Sequence, residues 1–265
     1  MDILNYTFFQ NALLGVILVS LVSAILGTYV VARRMVFITG GITHACFGGL
    51  GLGFFAGVSP ICTAGVFAVA SAIGVEWLAV KHNVREDSAI GVVWALGMAL
   101  GTIFIFLSPG YVPELTSFLF GNVLTITYTD IIMFAIFIVL LLFLFTAFYR
   151  QIVACAFDRD FAYTRHLPAD AINMAMMVII AIGIVITIRL IGIMLLMSLI
   201  TMPQMIAEQF TIRLRPMMII SAVVSMLCAT LGLFCSYWIA VPASATIVLI
   251  LISAYAVARI VKRFI

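Results

Sequence analysis

FITGGITHACFGGLGLGFFAG, residues 37–57, holds seven glycines and one histidine but no Asp, Glu, Lys or Arg. As a helix its 21 residues rise about 32 Å, enough to cross a hydrocarbon core about 30 Å thick. Glycine at this density lets neighbouring backbones approach closely, or lets a helix break and line a cavity. His44 sits within the stretch, and an ionisable ring at membrane depth is costly enough to mark a candidate functional residue. The segment therefore reads as the lining of a pathway, and the first thing to settle is whether the rest of the chain is built for a membrane.

It is. Of the 265 residues, 66% are hydrophobic and 9% are charged, against about 25% charged in soluble domains, and the mean hydropathy is +1.33. The apolar runs have the length of membrane helices and do not alternate as barrel strands do. The expected fold is all-α: a polytopic transmembrane bundle of about nine spans, near 8–32, 37–57, 60–80, 88–107, 129–149, 171–188, 190–207, 216–238 and 242–260, in one permease-like domain over 1–265. The first run is too long for the core of a cleavable signal, and Met1–Gln10 lacks a basic leader, so it is expected to remain as a span. With the N-terminus outside, 12 of the 13 Lys and Arg fall on the cytoplasmic side and only Arg189 lies outside. The positive-inside bias thus selects an outer N-terminus and a cytoplasmic C-terminus. The formal charge of +3 belongs to span ends, which sets topology and removes nucleic acid as a partner. Five scattered cysteines without C-x-x-C spacing fit apolar packing better than a disulfide framework or a structural zinc site.

The longest cytoplasmic connection, about 150–170, contains A-F-D-R-D-F-A-Y-T-R-H-L-P at 156–168. It reads as a short amphipathic helix begun by Asp158 as N-cap and stopped before Pro168. Its three aspartates in and near the segment disfavour an anionic lipid surface, so docking on a protein is expected. Pro203 removes a backbone donor within the seventh span and should kink it, with Ser198, Thr201, Gln204 and Glu208 placing oxygens nearby. Those oxygens suit helix–helix hydrogen bonds slightly better than ion contact. Met194, Met197, Met202 and Met205 read as gap-filling core, not a soft-metal ladder. Glu76 reads as an interfacial carboxylate near Lys81.

Several pieces, in order, resemble the permeases of zinc, manganese and iron ABC importers: R-R-M-V-F-I at 33–38, T-H-A-C-F-G-G-L-G-L-G at 43–53, E-D-S-A-I-G at 86–91, F-G-N-V-L at 120–124, A-F-D-R-D-F-A at 156–162, M-P at 202–203 and S-Y-W-I-A-V-P-A-S at 236–244. The resemblance implies a multi-pass protein of a prokaryotic plasma membrane, forming a homodimeric pore with two cytoplasmic ATP-binding cassette subunits and an extracytoplasmic metal-binding protein. It implies no resident cofactor; a divalent metal ion is the cargo. It makes the 156–168 segment the coupling helix, with Asp158, Phe161, Arg165 and Leu167 as the residues engaging the ATPase, and Pro203 and Gln204 as a kink beside the pathway. His44 aligns with the histidine of the family's D-x-x-x-H metal-contacting pair, whereas Gly40 occupies the aspartate position. Loss of that hard oxygen ligand leans the expected cargo slightly toward zinc or ferrous iron. Pro109, Tyr111, Pro113, Glu114, Asp130 and Arg189 are outer-side candidates for contact with the delivery protein.

The chain has no G-x-x-x-x-G-K-[ST], so it is expected to be no enzyme itself and to draw on a partner for ATP hydrolysis. The rival class, an ion- or proton-coupled secondary transporter, normally needs several carboxylates at mid-membrane, and here they cluster at span ends. A metal-chelate permease of the ABC class is usually longer. An intramembrane metalloprotease is excluded by the absence of H-E-x-x-H among three histidines.

Overall fold

The computed structural model describes residues 5–82, 84–109, 121 and 123–264, with Arg159 described by its backbone alone. Ten α-helices and no strand occur among them. They are α1 (Thr7–Ala32), α2 (Val36–Ala56), α3 (Pro60–His82), α4 (Glu86–Leu107), α5 (Tyr128–Ala147), α6 (Tyr149–Phe157), α7 (Arg159–Thr164), α8 (Ala169–Glu208), α9 (Leu214–Ile239) and α10 (Ala243–Phe264). All but α6 and α7 are long and apolar enough to cross a membrane.

These eight are the candidate spans among the described residues, and the longest of them, α8, is two helices joined end to end. Its 40 residues would run about 60 Å if straight, twice the hydrocarbon thickness. The run is interrupted at Gly192, where φ is 74° and ψ is 172°, a combination essentially restricted to glycine. The sixth and seventh expected spans are therefore present, with the break three residues beyond Arg189 and no loop between them. Gly57 closes α2 in the same spirit: at φ 66° it lets the Val58 N–H donate to the Gly53 carbonyl at 3.1 Å, the bond that caps a helix C-terminus.

The described residues form two compact units. In the first, α1 packs against α9 and α5, and α9 packs against α10. This unit also contains α8 from Thr187 onward. Helix α1 is apolar on every side and buried accordingly; Phe9, Ala12, Val19, Leu26 and Tyr29 are each almost wholly enclosed. A Cβ on Gly27 would meet the Gln204 side chain and the Ile200 carbonyl oxygen at 2.5 Å, so glycine is what admits α8 at that level. The outer end of the unit is fixed by a capping box at the start of α5. The Asp130 carboxylate accepts from the Thr127 N–H at 3.1 Å and the Thr127 hydroxyl at 2.6 Å, which satisfies donors that a helix start leaves orphaned. The same carboxylate, almost fully buried, lies 3.4 Å from Arg189. Arg189 and Asp130 belong on one side of the membrane if that pair is to form, and the positive-inside assignment puts both outside.

In the second unit, α2 lies against α3 and α4. The approach is close enough that side chains would prevent it. A Cβ on Gly49 would fall 2.5 Å from the Ala64 Cα, and one on Gly51 the same distance from the Gly101 carbonyl oxygen. In return, Gly97 lies directly against the Ala45 backbone, and a Cβ on Gly101 would meet the Phe47 carbonyl oxygen at 2.5 Å. Backbone contact of this kind replaces the hydrophobic drive that lipid cannot supply between helices.

Candidate functional site

Packing on two sides leaves α2 with one opening. From Ile38 to Gly51 every residue is buried except His44. The imidazole leaves the helix toward α4 and lies flat on the Trp94 indole, with ring centroids 4.3 Å apart and planes 7° from parallel. Phe47, one turn along α2, stacks more loosely at 6.3 Å. Nδ1 of His44 is buried and has no hydrogen-bond partner among the described residues.

The neighbours of His44 do not join it as ligands. The Thr43 hydroxyl is donated back to the Thr39 carbonyl at 2.5 Å, the usual way a threonine satisfies itself within a helix. Cys46 is buried in the packing, and Gly40 has no side chain to offer. Among the described residues no group of three or more His, Cys, Asp or Glu is placed to hold a metal ion. One chain thus presents one imidazole there, part-exposed and stacked on Trp94.

Near Pro203, two hydroxyls are engaged locally, while Gln204 Oε1 is buried with no hydrogen-bond partner among the described residues. Ser198 donates to the Met194 carbonyl at 3.1 Å and Thr201 to the Met197 carbonyl at 2.8 Å. Gln204 is fully buried and donates from Nε2 to the Ser23 carbonyl of α1 at 2.7 Å. That bond ties two helices of the first unit together, the helix–helix reading that the sequence slightly preferred. Pro203 itself is buried inside α8. Glu76 is buried as well and is engaged in interactions.

On the cytoplasmic segment, the expected helix is α7, six residues long. Asp158 caps it, accepting from the Phe161 N–H at 2.8 Å. Its inner side packs as a small core of Cys155, Ala162 and Ala169, with Leu167 and Ile172 against it. Leu167 therefore faces the protein. Phe157, Phe161 and Tyr163 face away, each about half exposed, and the Arg165 guanidinium sits 5.5 Å over the Phe161 ring. Tyr163 is tied down by donating to Asp170 at 2.8 Å. Three aromatic rings held out on a capped, braced turn form a surface suited to a protein partner. Of the outer-side candidates, Tyr111, Pro113 and Glu114 lie outside the described residues.

Trp94 is the neighbour of His44 that sequence reading missed. It stands 50 positions from His44, and a pairing between two helices leaves no mark in spacing along either one. The only signal was indirect: Trp94 precedes Gly97 by one turn, and Gly97 marks where α4 meets another backbone.

Comparison with known proteins bears on the whole arrangement. Residues 5–262 match the ABC 3 transport family. The chain is 36% identical to an uncharacterised membrane protein of Synechocystis, over 98% of its own length and 92% of the relative's. It is 29% identical to the manganese transport system membrane protein MntC of Halalkalibacterium halodurans, over 97% and 88%. Among solved structures, it resembles PsaBC from Streptococcus pneumoniae in complex with Fab, with a TM-score of 0.84, 27% identity and coverage of 97% and 92%.

Proposed function

The chain belongs to the ABC 3 transport family and is a multi-pass membrane permease for metal transport, and from that premise we propose that it carries divalent transition-metal ions inward through a pathway containing His44. Mn²⁺ is the first candidate cargo, because relatives along the full length are named manganese transport proteins. That moves the reading from the zinc or iron favoured by Gly40, and all three ions belong in the assay. The observation that carries the pathway assignment is the burial pattern of α2: one residue in its glycine-packed middle is open, and it is a histidine.

In this reading, two copies of the chain form the pore, two cytoplasmic ATPase subunits supply the energy, and an extracytoplasmic metal-binding protein delivers the ion. Phe157, Phe161 and Tyr163 seat in the ATPase, with Asp158 and Arg165 shaping the turn and Leu167 bracing it from within. Closure of the ATPases on ATP then moves the spans as rigid bodies, and access alternates. His44 meets the ion in transit, while Gln204, next to Pro203, ties α8 to α1 through the Ser23 carbonyl; the break in α8 lies upstream, at Gly192.

The test is reconstitution in vesicles with the partner ATPase and metal-binding protein, measuring ATP-dependent uptake of Mn²⁺, Zn²⁺ and Fe²⁺. Uptake requiring all three components, and lost in His44→Ala with assembly intact, is the expected result. Normal uptake in His44→Ala would reduce His44 to packing, and gradient-driven uptake by this chain alone would replace the importer with a secondary transporter.

A further inference from the structure

A histidine that ligates a metal normally donates its other ring N–H to a carboxylate or carbonyl, which fixes the tautomer and the direction of the free lone pair. His44 has no such partner among the described residues on its buried Nδ1. What holds its plane is the Trp94 indole, 4.3 Å away and 7° from parallel. We propose that Trp94 is the positioning residue of His44, standing in for the missing hydrogen bond and favouring the metal-loaded imidazole over the empty one. The inference rests on the pathway role proposed for His44.

Two observations and one chemical argument support it. First, the stack is set by rigid structure. Gly97, one turn from Trp94 on α4, lies directly against the Ala45 backbone, the residue after His44. The helices that carry the two rings are thus held in backbone contact. Second, the indole meets the imidazole face to face although Trp94 is 36% exposed and not enclosed on all sides. Third, the chemistry is selective. A metal binds imidazole in the ring plane, through nitrogen, and stacking blocks one ring face while leaving the edge open. Coordination draws electron density from the ring, and an electron-poor ring over the negative face of an indole is attracted as a cation is. Trp94 therefore interacts more strongly with the loaded state than with the empty state, which raises affinity.

The experiment uses the full-length permease with Trp77→Phe and Trp238→Phe, so that Trp94 is the sole indole. Titration with Zn²⁺ should change Trp94 emission saturably, and His44→Ala should abolish the change. In reconstituted uptake of Mn²⁺ and Zn²⁺, Trp94→Ala should raise KM about three- to tenfold, the range expected from losing one aromatic stack. Vmax should hold, as expected when an interaction equal in ground and transition states is removed. Trp94→Phe, which keeps a flat ring, should recover most of the loss. An unchanged KM in Trp94→Ala, an emission change that survives His44→Ala, or a silent Trp94 over a working transporter would each overturn the proposal. If His44→Ala transports normally, it is the pathway reading that fails, and the uptake arm separates the two.

Discussion

Gly97→Ala adds one methyl group at the contact between α4 and α2. The new Cβ would collide with the Ala45 Cα and sit 2.9 Å from the Ala45 carbonyl oxygen. Both are backbone atoms, so no rotamer change relieves the clash and the helices must separate. Overpacking of this kind costs about 1–3 kcal/mol, while replacing helical glycine by alanine returns roughly 0.8–1 kcal/mol. The control is on the same helix: Gly91 has open space around its would-be Cβ, so Gly91→Ala collects the propensity gain with no clash. The two variants should therefore differ by about 1–3 kcal/mol, Gly91→Ala melting above wild type and Gly97→Ala below Gly91→Ala. Thermal unfolding of the purified permease, with all three proteins in one detergent, measures it. Separation of α2 and α4 should also open the ring stack, so Mn²⁺ uptake should fall in Gly97→Ala and not in Gly91→Ala. Equal melting temperatures for the two variants would refute the claim that α2 and α4 meet backbone to backbone.

Gly192→Ala should destabilise the permease by about 1–3 kcal/mol, the cost of holding a side-chain-bearing residue in a glycine-only conformation; an unchanged thermal midpoint would mean that α8 does not break there. Phe161→Asp should leave that midpoint near wild type, since the ring is half exposed, yet abolish co-purification of the ATPase subunit; retention of the ATPase together with stimulated hydrolysis would remove α7 from the coupling interface.

The fold was legible because a membrane simplifies the problem. The helical membrane class and the approximate number of spans follow from run length and composition. Asp158 was also legible as a cap, since an aspartate before a short amphipathic run satisfies a helix start wherever it occurs. What escaped were features fixed by contact between helices. The Gly192 break looked like an ordinary span boundary, because its cause is a backbone angle and not a composition. Leu167 looked like part of an outward face, because periodicity over so short a helix does not say which side is braced by Cys155 and Ala169. Trp94 carried no sign of its partner.

The absence of an aspartate at position 40 has a consequence for how an ion would pass. A single chain offers one imidazole there, and among the described residues no cluster completes a coordination shell. In the proposed two-fold pore, two copies of His44 would supply two nitrogens, and oxygen ligands from water or elsewhere in the pore would complete the shell. Such a shell is less charged and looser than one with two added carboxylates, and a pathway that must release what it binds gains from that: favourable entry and easy departure are both required for conduction. A looser shell also leaves more of the affinity to whatever fixes the imidazole planes. In a site with a carboxylate four residues before the histidine, the metal is gripped by both, and the orientation of either matters less. With His44 alone on each side, two imidazole lone pairs would have to converge on one ion, and the plane of each ring lies against Trp94 of α4. The glycines that bring α4 onto α2 thus belong to the same arrangement as the histidine they surround.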